Sequence, residues 1–240
     1  MTYVEGFLTP VPTANRDAYR AHAEHAATML REFGVTRLVE TWADDVPRGK
    51  LNDLWSAIDA KADEAVLFSW FEYPDKVTRD AAVARMMNDP RMADMAKDMP
   101  FDGKRMVYGG FESVHEAGTP SRPGYVDGVV IPVSDPNGYR AFAASSAAVF
   151  TDHGATRVMD ALADDVKAGE VTDFLRAVKL EDGEQVAFGW VEWPDKATRD
   201  AGWEKVMADQ RMADATPPFD GKRMIFGGFT TLIDDMGETK

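Results

Sequence analysis

The sequence predicts an α+β fold in which two βαββαβ repeats follow one another along a single chain. Three observations predict it: a heptapeptide that occurs twice, a longer internal match around it, and strands that are apolar on both faces. PFDGKRM stands at 100–106 and again at 218–224, and FSWFEYPDKVTRD at 68–80 returns as FGWVEWPDKATRD at 188–200. The offset between copies falls from 122 to 118 along the chain. The chain is therefore a tandem duplication with two small deletions.

The first half of each repeat predicts a strand, a helix and a second strand. In the first repeat, YVEGFLTPV starts with β-type residues and ends at prolines, which indicates a strand. Apolar residues then recur at helical spacing before Gly34, a residue typical of a helix end; they are Tyr19, Ala23, Ala26, Leu30 and Phe33. VTRLVETWA at 35–43 predicts the second strand.

The second half of each repeat completes the pattern. LNDLWSAI at 51–58 predicts a short extra helix, and AVLFSWFEY at 65–73 a strand with aromatic residues on both faces. Asp75 is placed to cap a helix that runs to about Asn88. KRMVYGGFESV at 104–114 then predicts the fourth strand, entered through an Asp-Gly turn.

The repeats are assigned to residues 1–115 and 125–240, joined by a linker at 116–124 with the sequence EAGTPSRPG. Helices cover only one face of a βαββαβ sheet, whereas Phe68 and Trp70 on one face and Leu67 and Phe71 on the other both require burial. We therefore expect the two sheets to face each other within one chain.

Composition and charge exclude several classes of function. A net charge of −14, with scattered Lys and Arg residues, argues against a nucleic-acid partner. The sequence has no cysteine and no phosphate-binding glycine loop, so neither thiol chemistry nor a cofactor is predicted. It has no apolar run of membrane-spanning length and no basic, apolar leader, which predicts a cytoplasmic protein without a membrane partner. A fused pair of repeats is expected to be a monomer or a homodimer.

The motifs resemble a known family. WADDVPRGK, FSWFEYPDK, MNDPRM and MPFDGKRMVYGGF, with their counterparts in the second repeat, are similar to the small uncharacterised YbaA-like bacterial family of the dimeric α/β-barrel superfamily. The resemblance covers nearly all of both repeats and implies ferredoxin-like units that pair into a barrel, here an intramolecular dimeric α/β barrel. The family implies no agreed activity. The second repeat departs from the pattern with Leu162 for Trp42 and Lys167 for Pro47.

Strand residues that both repeats retain are the candidate site. A carboxylate in a strand covered on both faces must be paired or raised in pKa, and the second state makes a useful acid or base. Glu72 and Glu192 are therefore the candidate catalytic residues. The candidate ligand-binding residues are Trp70, Trp190, Arg37, Arg157, Glu5, Asp127 and Trp42. The alternative is that Glu72 simply pairs with Arg37 or Arg105 at a sheet end.

Other polar motifs are better explained structurally. His22 and His25 have a spacing used by metal sites, but the second repeat has Phe142 and Ser145 there, so no metal site is predicted. Lys104 with Arg105 and the Asp44-Asp45 pair are interpreted as turn residues.

Three functions stay open at this stage. One is binding of a small hydrophobic or aromatic anion, held by Arg37 and the aromatic residues. The second is a cofactor-independent enzyme of monooxygenase or isomerase type that uses a strand glutamate as base. The third is a structural or stress-related protein whose barrel is filled by its own side chains. If there is chemistry, we expect the first repeat to carry it, because its aromatic set is richer.

Overall fold

The computed structural model describes residues 1–237, which form a closed eight-stranded antiparallel barrel with helices outside it. The first repeat contributes strands β1 (Tyr3–Pro12), β2 (Arg37–Asp45), β3 (Glu64–Tyr73) and β4 (Val107–Gly118). Its helices are α1 (Arg16–Phe33), the short α2 (Leu54–Ala57), α3 (Lys76–Met86) and α4 (Pro90–Met95).

The second repeat has the same order of elements. Its strands are β5 (Tyr125–Val133), β6 (Arg157–Asp165), β7 (Gln185–Trp193) and β8 (Ile225–Asp235). Its helices are α5 (Pro136–Asp152), α6 (Phe174–Ala177), α7 (Lys196–Ala208) and α8 (Gln210–Ala213). The fold is thus an α+β barrel, as the sequence predicts.

The strand order shows how the two halves close the barrel. Within the first repeat the order is β4-β1-β3-β2, and within the second it is β8-β5-β7-β6. Pairing of β2 with β8 and of β4 with β6 joins the two sheets at both edges. The expected two facing sheets are therefore hydrogen-bonded to each other, which leaves no free sheet edge among the described strands.

Local signals in the sequence explain where the elements begin and end. Gly34 ends α1 with φ at 111°, a left-handed conformation that glycine adopts without steric cost. The Asp75 side chain accepts a hydrogen bond from the Thr78 amide and caps α3. β4 continues through Gly118, three residues into the segment interpreted as a linker, because that stretch pairs with β6.

Side chains from both repeats fill the barrel interior. The Phe68 and Phe188 rings stack with centroids 4.4 Å apart, and Trp70 stacks on Trp190 at 4.2 Å. Gly6 allows this packing, since a Cβ there would lie 2.8 Å from the Phe188 ring. The interior is a shared hydrophobic core, and a second packed layer lies between the outer face of the sheet and the helices of each repeat.

Candidate functional site

Four buried charges meet inside the barrel, beside the start of β2 and β6 and the end of β3 and β7. The Arg37 guanidinium donates to both carboxylate oxygens of Glu192, at 2.6 and 3.1 Å. The Arg157 guanidinium donates in the same way to Glu72, at 2.7 and 2.8 Å. Each arginine therefore binds the glutamate of the other repeat, with two directional hydrogen bonds added to the charge attraction. We call Arg37, Glu72, Arg157 and Glu192 the interior ion cluster.

The other donors of both arginines also have partners. Arg37 donates from Nε and Nη2 to Asp234, at 3.0 and 2.8 Å, and from Nη2 to the Ser121 carbonyl at 2.9 Å. Arg157 donates from Nε to Glu116 at 2.9 Å. An anionic ligand at either arginine would have to displace one of these partners.

The cluster keeps Glu72 ionised. Burial by itself raises the pKa of the Glu72 carboxyl, but the hydrogen bonds and charge of Arg157, together with the charge of Arg37, outweigh it and hold that pKa below its usual range. A carboxylate with a lowered pKa is a weak base. The geometry therefore favours a paired carboxylate at Glu72, but its main partner is Arg157 and not the expected Arg37 or Arg105, of which Arg105 binds Glu64. Catalysis by Glu72 or Glu192 stays a prediction.

The two interior tryptophans donate hydrogen bonds to the glutamates of the interior ion cluster. Each indole Nε1 donates to the glutamate two residues further along its own strand, Trp70 to Glu72 and Trp190 to Glu192, both at 3.0 Å. The two indoles are 0% and 1% exposed, and they stack on each other. Trp70 and Trp190 thus lie beside the ion cluster, with Trp70 on the same face of β3 as Glu72, but they fill the barrel instead of lining an open space.

Glu5 and Asp127 occupy the opposite, outer face of the sheet. Glu5 accepts from Arg79 Nε at 3.1 Å and from the Tyr73 hydroxyl at 2.8 Å. Burial raises the pKa of Glu5, against the opposing charge of Arg79. Asp127 accepts from Arg199 Nε at 2.9 Å. These residues are paired with helix arginines, away from the interior ion cluster.

Trp42 also lies on the outer face. It packs in a cluster with Val11, Tyr19 and Leu67, and the Arg16 guanidinium lies 5.3 Å from its ring centroid. The structure therefore separates Trp42 from Trp70 and Glu72. The alternation of side chains along β2 explains this, because Arg37 points inward and Trp42 outward.

The aspartate pairs at the ends of β2 and β6 join the repeats. Tyr3 donates its hydroxyl to Asp164 at 2.9 Å, and Tyr125 donates to Asp44 at 2.9 Å. Arg79 donates to Asp165 at 2.7 Å in the same manner. These acids, interpreted from the sequence as turn residues, act as reciprocal contacts between the two repeats.

A half-open cavity of about 370 Å³ lies in the first repeat, between the outer face of the sheet and the helices. We call it the first-repeat cavity. Phe7, Leu38 and Phe71 form part of its sheet wall, while α1 contributes Tyr19 and His22. Its outer wall is rich in methionine, namely Met86, Met87, Met92, Met95, Met99 and Met106. Among the described residues that line it there is no lysine or arginine.

Glu40 is the central polar group of this cavity. Its Oε2 accepts from the Tyr19 hydroxyl at 2.7 Å and from Ser69 Oγ at 2.5 Å. In residues 1–237 no donor reaches Oε1, although the side chain is 6% exposed and belongs to the cavity wall. Burial raises the pKa of Glu40 to about 7, against the two hydrogen bonds that lower it. The group therefore exchanges its proton near neutral pH, as a general acid or base requires.

His22 lines the same cavity from α1, one helical turn after Tyr19. Its ring meets Phe101 edge to face, with centroids 6.0 Å apart. Burial, together with the charge of nearby His25, lowers the pKa of His22. The imidazole is therefore neutral at neutral pH. Within the described residues, no group of three or more His, Cys, Asp or Glu side chains is arranged to hold a metal ion.

The second repeat keeps the acid and the tyrosine but changes their surroundings. Asp160 accepts from the Tyr139 hydroxyl at 2.6 Å, and burial raises its pKa. Gly189 stands where the first repeat has Ser69. Large side chains occupy positions that line the first-repeat cavity: Phe142 for His22, Phe150 for Leu30 and Trp203 for Val83.

Of the predicted site residues, Glu5 alone lines the first-repeat cavity. Glu40, Tyr19 and Ser69 form a polar group that was not predicted from the sequence. A usable signal was present, because Glu40 interrupts the outward face of β2 between apolar Leu38 and Trp42. Tyr19 likewise places a hydroxyl on the apolar face of α1.

Known structures with the same fold include two described as putative monooxygenases. That from Fusobacterium nucleatum has a TM-score of 0.59 at 11% identity, over 97% of this chain and 93% of its own. That from Lactobacillus acidophilus has a TM-score of 0.60 at 9% identity, over 97% and 95%. At such identities the likeness concerns the fold alone. In residues 1–237, no helix combines the length and apolarity needed to cross a membrane.

Two proteins found by sequence comparison are much more similar in sequence than these structures. The uncharacterised protein YbaA of Escherichia coli K12 is 55% identical over 114 residues, which are 48% of this chain and 97% of YbaA. A protein of the same description from Shigella flexneri matches equally. These relatives therefore correspond to a single repeat. The model of the family described as "Protein of unknown function (DUF1428)" matches residues 2–103 and 124–221. The chain belongs to this family, and it carries the family's domain twice.

Proposed function

We propose that the first-repeat cavity binds a small, largely apolar molecule with one polar group, and that Glu40 exchanges a proton with that group. One observation carries the proposal: Glu40 lines the cavity with a buried carboxyl whose Oε2 is held by Tyr19 and Ser69, while no donor in residues 1–237 reaches its Oε1. This is a preorganised acid or base beside a space of ligand size.

The charges around the cavity favour an uncharged ligand. Glu5 and Glu40 are the acidic lining residues, and neither lysine nor arginine is present among the described lining residues to oppose them. Arg79, at 3.0 Å, offsets the charge of Glu5, so an anion would chiefly meet the negative charge of ionised Glu40, with no cation in the described lining to attract it. An uncharged ligand in this cavity differs from the anionic ligand that the sequence predicted at Arg37. The donors of Arg37 are already bound to carboxylates.

The division of the chain fits this proposal. We infer two ferredoxin-like repeats, 1–115 and 125–240, that reproduce within one chain the pair which single-repeat relatives would form from two. The first repeat carries the site, and Trp203 with Phe150 fills the corresponding part of the second, where their rings pack 5.1 Å apart. The reaction class is proton transfer, as in a cofactor-independent isomerase or oxygenase.

The test uses 2-naphthol, an uncharged aromatic alcohol, and follows its fluorescence during titration. We expect the wild-type protein to bind one equivalent. Val83→Trp copies the second repeat and should remove binding, whereas Ala84→Trp, on the exposed side of α3, serves as the matched control. Equal binding by both variants, or no saturable binding by the wild type, would refute the proposal.

The role of Glu40 is tested through pH. The naphthol hydroxyl donates to ionised Glu40, so binding should strengthen as pH rises through about 7. Glu40→Gln cannot ionise and should show a flat profile. A wild-type profile that is flat between about pH 6 and pH 8 would leave a binding site without a proton-transfer role.

A further inference from the structure

The first-repeat cavity gathers sulfur atoms on one wall. The chain has 13 methionines and no cysteine, and six of those methionines line this cavity. Met29 and Met159 are by contrast buried, at 3% and 0% exposure. None of the six lining methionines is buried, and Met87 and Met99 are 82% and 38% exposed. Their thioether sulfurs are soft nucleophiles that solvent can reach, and they lie beside a candidate ligand site.

The segment that carries three of these methionines is held weakly to the rest of the protein. We call residues 88–99 the cover; it includes α4 and one turn of 3-10 helix, and neither of these contains a buried residue. Its polar link to α1 is the exposed pair of Arg91 and Glu32, at 2.9 Å. The inward contacts of the cover are therefore made chiefly by Met92, Met95 and Met99.

We propose that Met92, Met95 and Met99 form an oxidative modification site that controls access to the cavity. The oxidant is a small peroxide or a hypohalous acid. With hydrogen peroxide, a sulfur lone pair attacks one oxygen, the O–O bond breaks, and proton transfer leaves a sulfoxide and water. Sulfur loses two electrons and the peroxide gains them, so no other reactant is needed.

A sulfoxide changes the packing of the cover. It turns an apolar thioether into a polar group, which an apolar wall cannot satisfy with hydrogen bonds. The cover should then leave the cavity, and affinity for an apolar ligand should fall. This ligand effect depends on the function proposed above, whereas release of the cover does not.

The second repeat supplies an internal comparison. Met86, Met95 and Met99 correspond to Val206, Ala215 and Pro217, so half of the methionine wall is absent there. Met207, which is 74% exposed, corresponds to Met87 and lies outside the first-repeat cavity. Met207 therefore serves as a control, because its oxidation should not affect the cover.

The experiment treats the whole protein with hydrogen peroxide and maps sulfoxides by peptide mass spectrometry. Met92, Met95 and Met99 should oxidise before buried Met29. Proteolysis within the cover should rise about tenfold on oxidation, and 2-naphthol affinity should fall about tenfold. Methionine sulfoxide reductases should reverse both effects.

Two variants make the outcome decisive. In the triple variant Met92→Leu, Met95→Leu, Met99→Leu, oxidation should leave proteolysis within the cover unchanged, because leucine packs similarly and has no sulfur. Its affinity should fall less than that of the wild type, because Met86, Met87 and Met106 still line the cavity. In Met207→Leu, oxidation should act as in the wild type. Sulfoxides at the cover without increased proteolysis would overturn the proposal. Failure of naphthol to bind before oxidation would refute the proposed function alone, since proteolysis still reports on the cover.

Discussion

The inner faces of the two repeats have stayed alike, while their outer faces have diverged. Inside the barrel, Arg37, Trp70 and Glu72 have identical counterparts in Arg157, Trp190 and Glu192. Beside the outer cavity, His22 and Val83 are replaced by Phe142 and Trp203.

The difference has a physical cause. Each interior arginine binds the glutamate of the other repeat, so a change in one repeat removes a bidentate partner from a buried charge in the other. The outer contacts of Glu40 and of Asp160 lie within their own repeats. One outer face can therefore be filled while the other stays open, and this asymmetry supports assigning the site to the first repeat.

The largest expected effect comes from breaking the inner symmetry. Glu192→Ala removes one of the two bidentate partners of Arg37, the other being Asp234, and also the acceptor of the Trp190 indole, so it should lower the free energy of unfolding by about 3–5 kcal/mol. Glu72→Ala should cost as much, because the pairs are reciprocal. Urea denaturation measures both, with Glu32→Ala at an exposed pair as the control that changes little. A cost for Glu192→Ala as small as that of the control would show that the interior ion cluster is not essential.

The outer faces of the two repeats should become more alike if the space filled by Trp203 in the second repeat is emptied. Trp203→Val removes an indole that packs on Phe150 and donates to Asp127 at 2.7 Å. We expect a loss of stability of about 3 kcal/mol and a second binding site for 2-naphthol. Titration gives the stoichiometry and urea denaturation the stability. If the variant still binds one equivalent, other side chains have filled the space.

The pH dependence of stability sharpens the comparison at Glu40. Because the folded pKa of about 7 exceeds the usual 4.5, the stabilisation of the protonated group is complete below 4.5 and is lost as pH rises through 7. Glu40→Gln mimics the protonated state, so at pH 8 it should be more stable than the wild type by about 3 kcal/mol. The two proteins should converge near about pH 4.5. A constant difference across this range would contradict a raised pKa.

The smallest effect concerns the contacts between repeats. Asp44→Ala removes the acceptor of the Tyr125 hydroxyl, and Asp164→Ala removes that of Tyr3. Each should cost about 1 kcal/mol, since the aspartates are partly exposed and screened by solvent. Thermal unfolding of both variants would test whether the Tyr125–Asp44 and Tyr3–Asp164 contacts contribute equally to stability. Unequal losses of stability would show that one contact contributes more than the other.

The sequence by itself determined the duplication, the order of the strands and the places of the main helices, whereas α4 and α8 were not predicted. The features that it determined follow from local signals such as Gly34 and Asp75, whose backbone roles depend little on distant residues. It also placed Trp70 and Glu72 on one face of β3, because alternation along a strand is a local property.

The partners of those residues were decided by the tertiary structure alone. That Glu72 meets Arg157, 85 positions away, depends on how the two sheets close. The open space beside Glu40 depends on the packing of α1, α3 and the cover against the sheet. A pKa is set by burial and neighbouring charges, so Glu40 and Glu72, both strand glutamates, take opposite shifts for reasons that lie outside their own strands.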